Sequence, residues 1–103
     1  MNYKPPILVC DDEPHTLHVV GSYLRRAGLG VTLTANAEQA LRAAAASWPG
    51  LCILEHNSTG TNGIELCRRL REMPGLATVP VIVLTARNGR LPEMTVSSAT
   101  PTA

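Results

Sequence analysis

Short runs of apolar residues alternate along the chain with stretches whose apolar positions recur at helical spacing. Four runs predict β-strands, at residues 7–10, 31–34, 51–54 and 81–84. The runs at 7–10, 51–54 and 81–84 are apolar throughout, which is typical of strands in a parallel sheet that is covered on both faces. The pattern therefore indicates strands buried in the middle of a layered domain.

The segments between these strands predict three helices. The first begins at Pro14, which suits a first helical turn, and ends before Gly28. The second covers 37–47, with Asn36 as N-cap and Gln39 three residues later in a capping-box arrangement, and it ends at 48–50. The third covers about 64–72 and stops at 73–75. Strands that alternate with helices in this way predict right-handed βαβ units and a doubly wound α/β fold.

The alternation stops after the fourth strand. Residues 91–103 are mostly Pro, Thr, Ser and Ala, and we expect neither strand nor helix there. The 103 residues, 45% of them hydrophobic, are enough for one small domain. We therefore divide the chain into a truncated domain at 1–90 and a low-complexity C-terminal tail at 91–103, and expect about four strands and three helices, without a fifth strand or the last helices.

Charge and cysteine content narrow the classes of function. A formal net charge of +1 and the lack of a dense Lys/Arg run argue against direct nucleic-acid binding. No apolar run approaches the roughly 18 residues of a membrane span, and residues 1–6 do not resemble a signal peptide. The chain has an odd number of cysteines, which favours a reducing compartment. We expect a cytoplasmic protein with no membrane association.

Polar side chains follow three of the predicted strands. Asp11 and Asp12 come after the first, Glu55 after the third, and Thr85 after the fourth. Ligands bind at the carboxyl ends of the strands in open α/β sheets, so these groups should converge there. Carboxylate oxygens suit a hard cation. The alternative is a solvated loop in which acids favour the start of a helix.

The other candidates for chemistry have ordinary structural explanations. The histidines lack ligand partners at suitable spacing, so we expect them to be solvated; they are His15, His18 and His56. Two cysteines are expected in the core, Cys52 and Cys67. Three arginines are expected on an exposed helix face, Arg68, Arg69 and Arg71.

Several stretches in order resemble the receiver domain of two-component response regulators. The resemblance covers residues 5 to about 90 and is carried by segments 7–14, 35–41, 51–63, 64–71 and 80–86. It implies a flavodoxin-like fold, here incomplete. It also implies transfer of a phosphoryl group from a histidine kinase to an aspartate at the end of the third strand, followed by a change in protein contacts.

Carried over by position, the resemblance assigns roles to five residues. Asp11 and Asp12 match the acid pair that holds Mg²⁺, and Asn57 matches the residue whose backbone carbonyl completes the metal site. Glu55 occupies the phosphoacceptor position and is itself a candidate metal ligand. Thr85 matches the hydroxyl that contacts the phosphoryl group.

The chain departs from the family pattern at several of its functional positions. The acceptor is Glu55 rather than Asp, and the extra methylene moves the carboxylate by about 1.5 Å, one C–C bond. Lys4 is the only lysine and precedes the first strand, so the family's lysine at the end of a fifth strand has no counterpart. Thr59 stands where the family usually has Pro, and Asn62 where it usually has Asp.

These departures favour a degenerate receiver, a signalling and protein-interaction module rather than an enzyme. Glu55 would then act as a partial mimic of a phosphorylated aspartate, and Mg²⁺ binding would be weak or vestigial. Two alternatives stay open: a competent Mg²⁺-dependent phosphoacceptor that receives phosphate from a histidine kinase, and a truncated receiver fragment without a function. The expected partners are a histidine kinase or a downstream signalling protein. A bare apolar edge at 81–84 and an uncovered face of the incomplete sheet further predict a homodimer, in which one or the other meets its copy.

Overall fold

The computed structural model describes residues 5–55, 62–85 and 93–97, with backbone alone for Thr85 and for 93–97. These residues form one five-stranded sheet in the order β2-β1-β3-β4-β5. The strands are β1 (Ile7–Cys10), β2 (Val31–Thr34), β3 (Leu51–Glu55), β4 (Val81–Thr85) and β5 (Glu93–Ser97). The helices are α1 (Pro14–Arg26), α2 (Ala37–Ser47) and α3 (Gly63–Arg71).

The first four strands are parallel, which confirms the doubly wound α/β architecture of an incomplete flavodoxin-like fold. Helix α1 packs on β1 and β2, while α2 contacts β1 and β2, and α3 contacts β3 and β4. Since α2 and α3 also contact each other, they share the face opposite α1. No helix in the described part of the chain is long and apolar enough to cross a membrane.

The main core lies between the sheet and the pair α2–α3. Alternate residues of β1, β3 and β4 enter it and meet the buried faces of both helices. It contains Leu8, Cys10, Ala40, Ala44, Cys52, Leu54, Leu66, Cys67, Leu70, Leu76, Val81 and Val83. All three cysteines are buried and none is in a disulfide, which agrees with the prediction that Cys52 and Cys67 are core residues.

The helix boundaries follow the signals that the sequence offers. Asn36 Oδ1 accepts from the Gln39 backbone N–H at 2.9 Å, as a capping box requires. The return bond from Gln39 Oε1 goes to the N–H of Ala35, at 2.8 Å, rather than to that of Asn36. After α1, Gly28 adopts a φ of 86°, which glycine reaches without steric cost.

Helix α2 ends on Trp48, a non-glycine residue in the left-handed region with a φ of 51°. The ring of Trp48 lies directly over Gly75, where an added Cβ atom would collide with the ring. Gly75 itself has a φ of 83°. The contact between ring and glycine backbone joins the end of α2 to the loop between α3 and β4.

Arg71 is buried, and the prediction that it belongs to an exposed arginine face is wrong. Only 7% of Arg71 is exposed. Its Nη1 donates to the backbone carbonyl of Leu76, at 3.3 Å, and to that of Val79. Arg68 and Arg69 are exposed as predicted. Arg71 therefore holds the loop before β4 against the end of α3, because its guanidinium donates to two backbone carbonyls of that loop.

Residues 93–97 form a strand, so the expectation that 91–103 would contain none is wrong there. β5 runs antiparallel to β4 and pairs Ile82 with Val96 and Leu84 with Met94. Residues 93–97 alternate polar and apolar side chains and include Thr and Val, which favour strands. The overall composition of 91–103 does not reveal this alternation. β4 is consequently not the bare edge from which a dimer was predicted. The dimer itself stays a prediction.

Candidate functional site

The first acids and Glu55 emerge side by side at the carboxyl edge of the sheet. The register pairs Cys10 with Leu54, so the next residues, Asp11 and Glu55, leave adjacent strands together. The Asp11 backbone N–H donates to Thr34 O at 3.0 Å, which extends the β1–β2 pairing by one bond. The buried strands β1 and β3 thus bring Asp11 and Glu55 to the same edge of the sheet.

Two of the acids in the β1–α1 turn are engaged by backbone N–H groups. Asp11 Oδ1 accepts from the N–H of Glu13 at 2.9 Å and shapes the turn. Glu13 Oε1 accepts from the N–H of His15 at 2.8 Å and so caps α1. Asp11 is 4% exposed, whereas Asp12 is half-buried and Glu13 is exposed. Asp12 is therefore the acid of this turn that combines proximity to the site with access to solvent.

Two carboxyl groups of this cluster, those of Asp11 and Glu55, have raised pKa values. Burial raises the pKa of Glu55, and the charges of Asp11 and Asp12 raise it further. Burial also raises the pKa of Asp11; the hydrogen bond from Glu13 N–H opposes this, and the charges of Asp12 and Glu13 add to it. The edge is thus a group of mutually repelling acids that a proton or a cation would relieve.

The start of α3 packs against the end of β3. Asn62 caps this helix by accepting from the N–H groups of Ile64, at 3.0 Å, and Glu65, at 3.1 Å. A Cβ atom at Gly63 would lie 2.9 Å from the carbonyl oxygen of Glu55 and 3.2 Å from a methyl group of Val83. A glycine is required at this point because the helix backbone approaches the backbone of β3 so closely.

Comparison with known proteins identifies the class to which this edge belongs. Residues 7–98 match the sequence model of the response regulator receiver domain. The chain belongs to this family. Receiver domains are signalling modules of two-component systems, they interact with histidine kinases, and they generally bind Mg²⁺ at the phosphorylation site.

Curated relatives and solved structures agree with this membership. The transcriptional regulatory protein BaeR of Escherichia coli is 32% identical over 83 residues, 81% of this chain and 33% of that protein. The DNA-binding response regulator MtrA of Mycolicibacterium smegmatis is 37% identical over 81 residues, 79% of this chain and 34% of that protein. This receiver chain thus spans about a third of the length of these relatives.

Two solved structures illustrate the structural likeness. A putative response regulator from Chloroflexus aurantiacus has a TM-score of 0.75 at 30% identity, with 84% of this chain and 70% of that chain covered. The chemotaxis response regulator CheY4 of Vibrio cholerae has a TM-score of 0.77 at 23% identity, with 84% and 72% covered, and shows the shared fold.

The structure of this receiver brings together part of the site that the sequence suggests. Asp11, Asp12 and Glu55 interact electrostatically at one edge. Thr85 ends β4, one residue beyond Leu84, the partner of Glu55 in the register. Asn57 lies outside the described residues. Within those residues, no group of three or more His, Cys, Asp and Glu side chains is arranged to hold a metal ion. The metal and phosphoryl roles therefore stay predictions.

The sequence reading of the receiver site missed two of its supports. They are the close approach of Gly63 to Glu55 O and the separate hydrogen bonds that Asp11 and Glu13 accept. The available signal was local, since an Asn directly before the glycine that opens a helix marks an N-cap. The close contact of Gly63 with Glu55 O depends on how α3 meets β3, which no local signal reports.

The Glu55→Gln variant is expected to stabilise this receiver at neutral pH. The folded protein must ionise a crowded carboxyl group whose pKa is raised, whereas the unfolded chain ionises it freely. Below the unfolded pKa of about 4.3, wild type and variant should be equally stable. As the pH rises through the pKa of Glu55 in the folded state, the free energy of unfolding of the wild type should fall by about 0.5 kcal/mol relative to that of the variant. This value is discounted for solvent screening.

Thermal unfolding between pH 4 and 8 measures this difference, which corresponds to roughly 2–4 °C in a domain of this size. Glu72→Gln serves as the control, since Glu72 is exposed at the end of α3. Its effect on the free energy of unfolding should be small, because the side chain is exposed. If Glu55→Gln were neutral or destabilising at pH 7, the carboxyl groups would not repel one another in the folded state.

Proposed function

We propose that this chain acts as a degenerate receiver, a signalling module that works through protein contacts without turnover of phosphate at Glu55. The observation that carries the proposal is a glutamate at the phosphoacceptor position, crowded against Asp11 and Asp12. The proposal goes beyond family membership, since most receivers are switches driven by phosphorylation of an aspartate.

Two features of the chain disfavour phosphoryl transfer to Glu55. The longer side chain moves the acceptor oxygen by about 1.5 Å, and a misplacement of about 1 Å can cost on the order of a hundredfold in rate. The only lysine is Lys4, ahead of β1, so none follows β4 to neutralise a phosphoryl group. Phosphotransfer would thus lack both the usual geometry and a usual charge.

A glutamate can nevertheless supply part of what phosphorylation supplies. An ionised Glu55 carries a permanent negative charge near the end of β4, where Thr85 is the proposed hydroxyl partner. The mimicry is partial, because one carboxylate carries less charge and has fewer acceptor oxygens than a phosphoryl group. The raised pKa of Glu55 reduces it further at acidic pH.

Mg²⁺ is proposed as a weakly bound or vestigial cofactor. Its ligands would be the carboxylates of Asp11 and Asp12, the backbone carbonyl of Asn57 and, when ionised, Glu55. These donors are of the type that Mg²⁺ prefers, oxygen ligands, and the acids repel one another without a cation. The described acids are not arranged as a metal-holding group, which is why the binding is proposed as weak or vestigial. In a competent receiver the ion neutralises charge on the incoming phosphoryl group; here the residues would only retain the ion.

The proposed partners are a histidine kinase or a downstream signalling protein, and the proposed location is the cytoplasm. The relatives are named as transcriptional or DNA-binding regulators, but this chain spans only about a third of each. We therefore propose no direct nucleic-acid contact for it. The net charge of +1 supports this.

The experiment that tests the proposal is phosphorylation by small donors. After incubation with Mg²⁺ and acetyl phosphate or phosphoramidate, intact-mass measurement should detect no added phosphoryl group on the wild type. Glu55→Asp restores the acceptor type but not the lysine, so we expect it to label poorly. A receiver domain with an aspartate acceptor, treated in parallel, shows that the two phosphodonors are active.

A stoichiometric phosphoryl adduct on wild-type Glu55 would refute the degenerate function and favour the competent phosphoacceptor. Rapid labelling of Glu55→Asp alone would leave the wild type degenerate, and would show that the acceptor residue matters more than the lysine.

A further inference from the structure

The start of α3 contains a chemically labile pair of residues, Asn62 followed by Gly63. A backbone nitrogen can attack the side-chain amide of the asparagine that precedes it, and asparagine is for this reason a thermolabile residue. Glycine hinders the attack least, because it has no Cβ atom. Asn62 is exposed, so water reaches its amide group. The pair is therefore a candidate site of covalent modification.

The modification is a deamidation that needs no reagent other than water. The Gly63 backbone nitrogen gives up its proton and attacks Cγ of Asn62, and a new C–N bond closes a five-membered succinimide. The bond from Cγ to the side-chain nitrogen breaks, and ammonia leaves with the proton. Water then opens the ring at either of its carbonyl groups, which gives aspartate or isoaspartate. In total, one water is consumed and one ammonia is released.

The folded backbone holds the two reacting atoms apart. Ring closure requires the Gly63 nitrogen and the side chain of Asn62 to lie on the same side of the Asn62 Cα–C bond. At the observed ψ of 107°, the nitrogen is turned well away from the side chain. Asn62 Oδ1 also accepts from the N–H groups of Ile64, at 3.0 Å, and Glu65, at 3.1 Å, which fixes the amide over the first turn. The helix cap thus prevents the attack.

The packing of Gly63 prevents the rotation that would bring the two atoms together. Gly63 is buried, and its Cβ position is 2.9 Å from Glu55 O and 3.2 Å from a methyl group of Val83. A large change of ψ at Asn62 would swing this glycine into β3 or pull it away from the strand. The reaction therefore requires the first turn of α3 to separate from β3.

We propose that Asn62 is a deamidation site that the fold protects and that reacts when the first turn of α3 opens. Such local opening costs less free energy than global unfolding. The reaction is irreversible, so the amount of product measures how often the start of α3 leaves the acidic edge. This property is separate from the proposed function, because it does not depend on whether Glu55 accepts phosphate.

The two products should affect α3 differently. Aspartate keeps an oxygen acceptor at the N-cap and adds a negative charge where the helix dipole favours it. Isoaspartate lengthens the backbone by one atom, so its side chain no longer reaches the N–H groups of Ile64 and Glu65. Deamidation should thus leave α3 intact in one population. In the other, the start of the helix and its contact with Glu55 O should loosen.

Incubation at pH 8 and 37 °C, followed by peptide mass mapping, tests the site in the whole chain. In guanidinium chloride above the unfolding transition, Asn62 should convert to aspartate and isoaspartate. In the folded protein, this conversion should be slower by about tenfold or more. Asn36 is the control, because it caps α2 in the same way but precedes Ala37. In the unfolded chain, it should convert more slowly than Asn62 by about tenfold or more, since alanine has a Cβ atom.

Ile64→Pro tests the opening step. Proline removes an N–H from which Asn62 accepts, and it disfavours the helical conformation of Gly63 before it. Ile64 is 51% exposed, so little packing is lost. Relative to the same variant in guanidinium chloride, conversion in folded Ile64→Pro should be faster than in folded Ile64→Ala by about threefold or more, because alanine keeps the N–H. Circular dichroism verifies that both variants fold.

Equal rates of conversion in folded and unfolded wild type would overturn the proposal. So would an unfolded chain in which Asn62 does not convert, or in which Asn36 converts as fast. A folded Ile64→Pro variant that is protected as well as Ile64→Ala would also overturn it. If Ile64→Pro does not fold, the comparison of folded with unfolded wild type decides. None of these results bears on the phosphorylation test of Glu55.

Discussion

Replacing Arg71 with alanine is expected to lower the free energy of unfolding by about 3 kcal/mol, a large share of the stability of a small domain. The guanidinium donates to the carbonyls of Leu76 and Val79, and both bonds are lost in the variant. The Leu76 carbonyl keeps a long bond from the Val79 N–H, at 3.5 Å, whereas a carbonyl that stays buried without a donor costs about 1–3 kcal/mol. The missing aliphatic stem adds a cavity beside the core.

Urea denaturation followed by circular dichroism measures this change. Arg69→Ala is the control, because it makes the same substitution on the exposed side of α3 and should stay within about 0.5 kcal/mol of wild type. Arg71→Met separates packing from hydrogen bonding: it restores volume but not donors, so it should recover only part of the loss. Wild-type stability in Arg71→Met would show that the two carbonyls do not need the guanidinium.

A methyl group at Gly63 should have the second largest effect, a loss of about 2 kcal/mol. Its position, 2.9 Å from Glu55 O and 3.2 Å from Val83, forces the start of α3 away from the end of β3. Alanine is otherwise favoured over glycine in a helix by about 1 kcal/mol, so the steric cost must exceed that gain. The displaced backbone carries Glu55, and the acidic edge should loosen with it.

Gly30→Ala provides the comparison, because its Cβ atom would meet nothing closer than Pro6, at 3.9 Å. It should be neutral or slightly stabilising, since alanine restricts the unfolded chain. Thermal unfolding of the two variants decides the matter. Equal stability of Gly63→Ala and Gly30→Ala would mean that α3 can withdraw from β3 without cost.

The sequence predicted those elements whose signals are local. β1, β2 and α2 begin and end where predicted, because apolar runs, a capping box and breaking residues mark their limits. The convergence of Asp11, Asp12 and Glu55 also followed, since parallel strands deliver their carboxyl ends to one edge. Periodicity and topology together were sufficient for this much of the receiver site.

The errors concern residues whose setting is decided by distant parts of the chain. Arg71 looks like its exposed neighbours Arg68 and Arg69, and only the path of the loop before β4 turns its side chain inward. The strand at 93–97 was not predicted, because the prediction for 91–103 used only the overall composition of that segment. The strand forms by pairing with β4. Tertiary context overrides local propensity in both cases.

The antiparallel direction of β5 determines where a group attached to its last residue would be located. The strand begins opposite Thr85, at the acidic edge, and its last residue, Ser97, is paired with Val81 at the far end of β4. Five residues of strand cover about 16 Å. A fluorophore attached at position 97, in β5 itself, would therefore lie at the end of the sheet remote from the acids. Such a probe would leave the carboxylates unobstructed, and it would be a poor sensor of a cation bound among them.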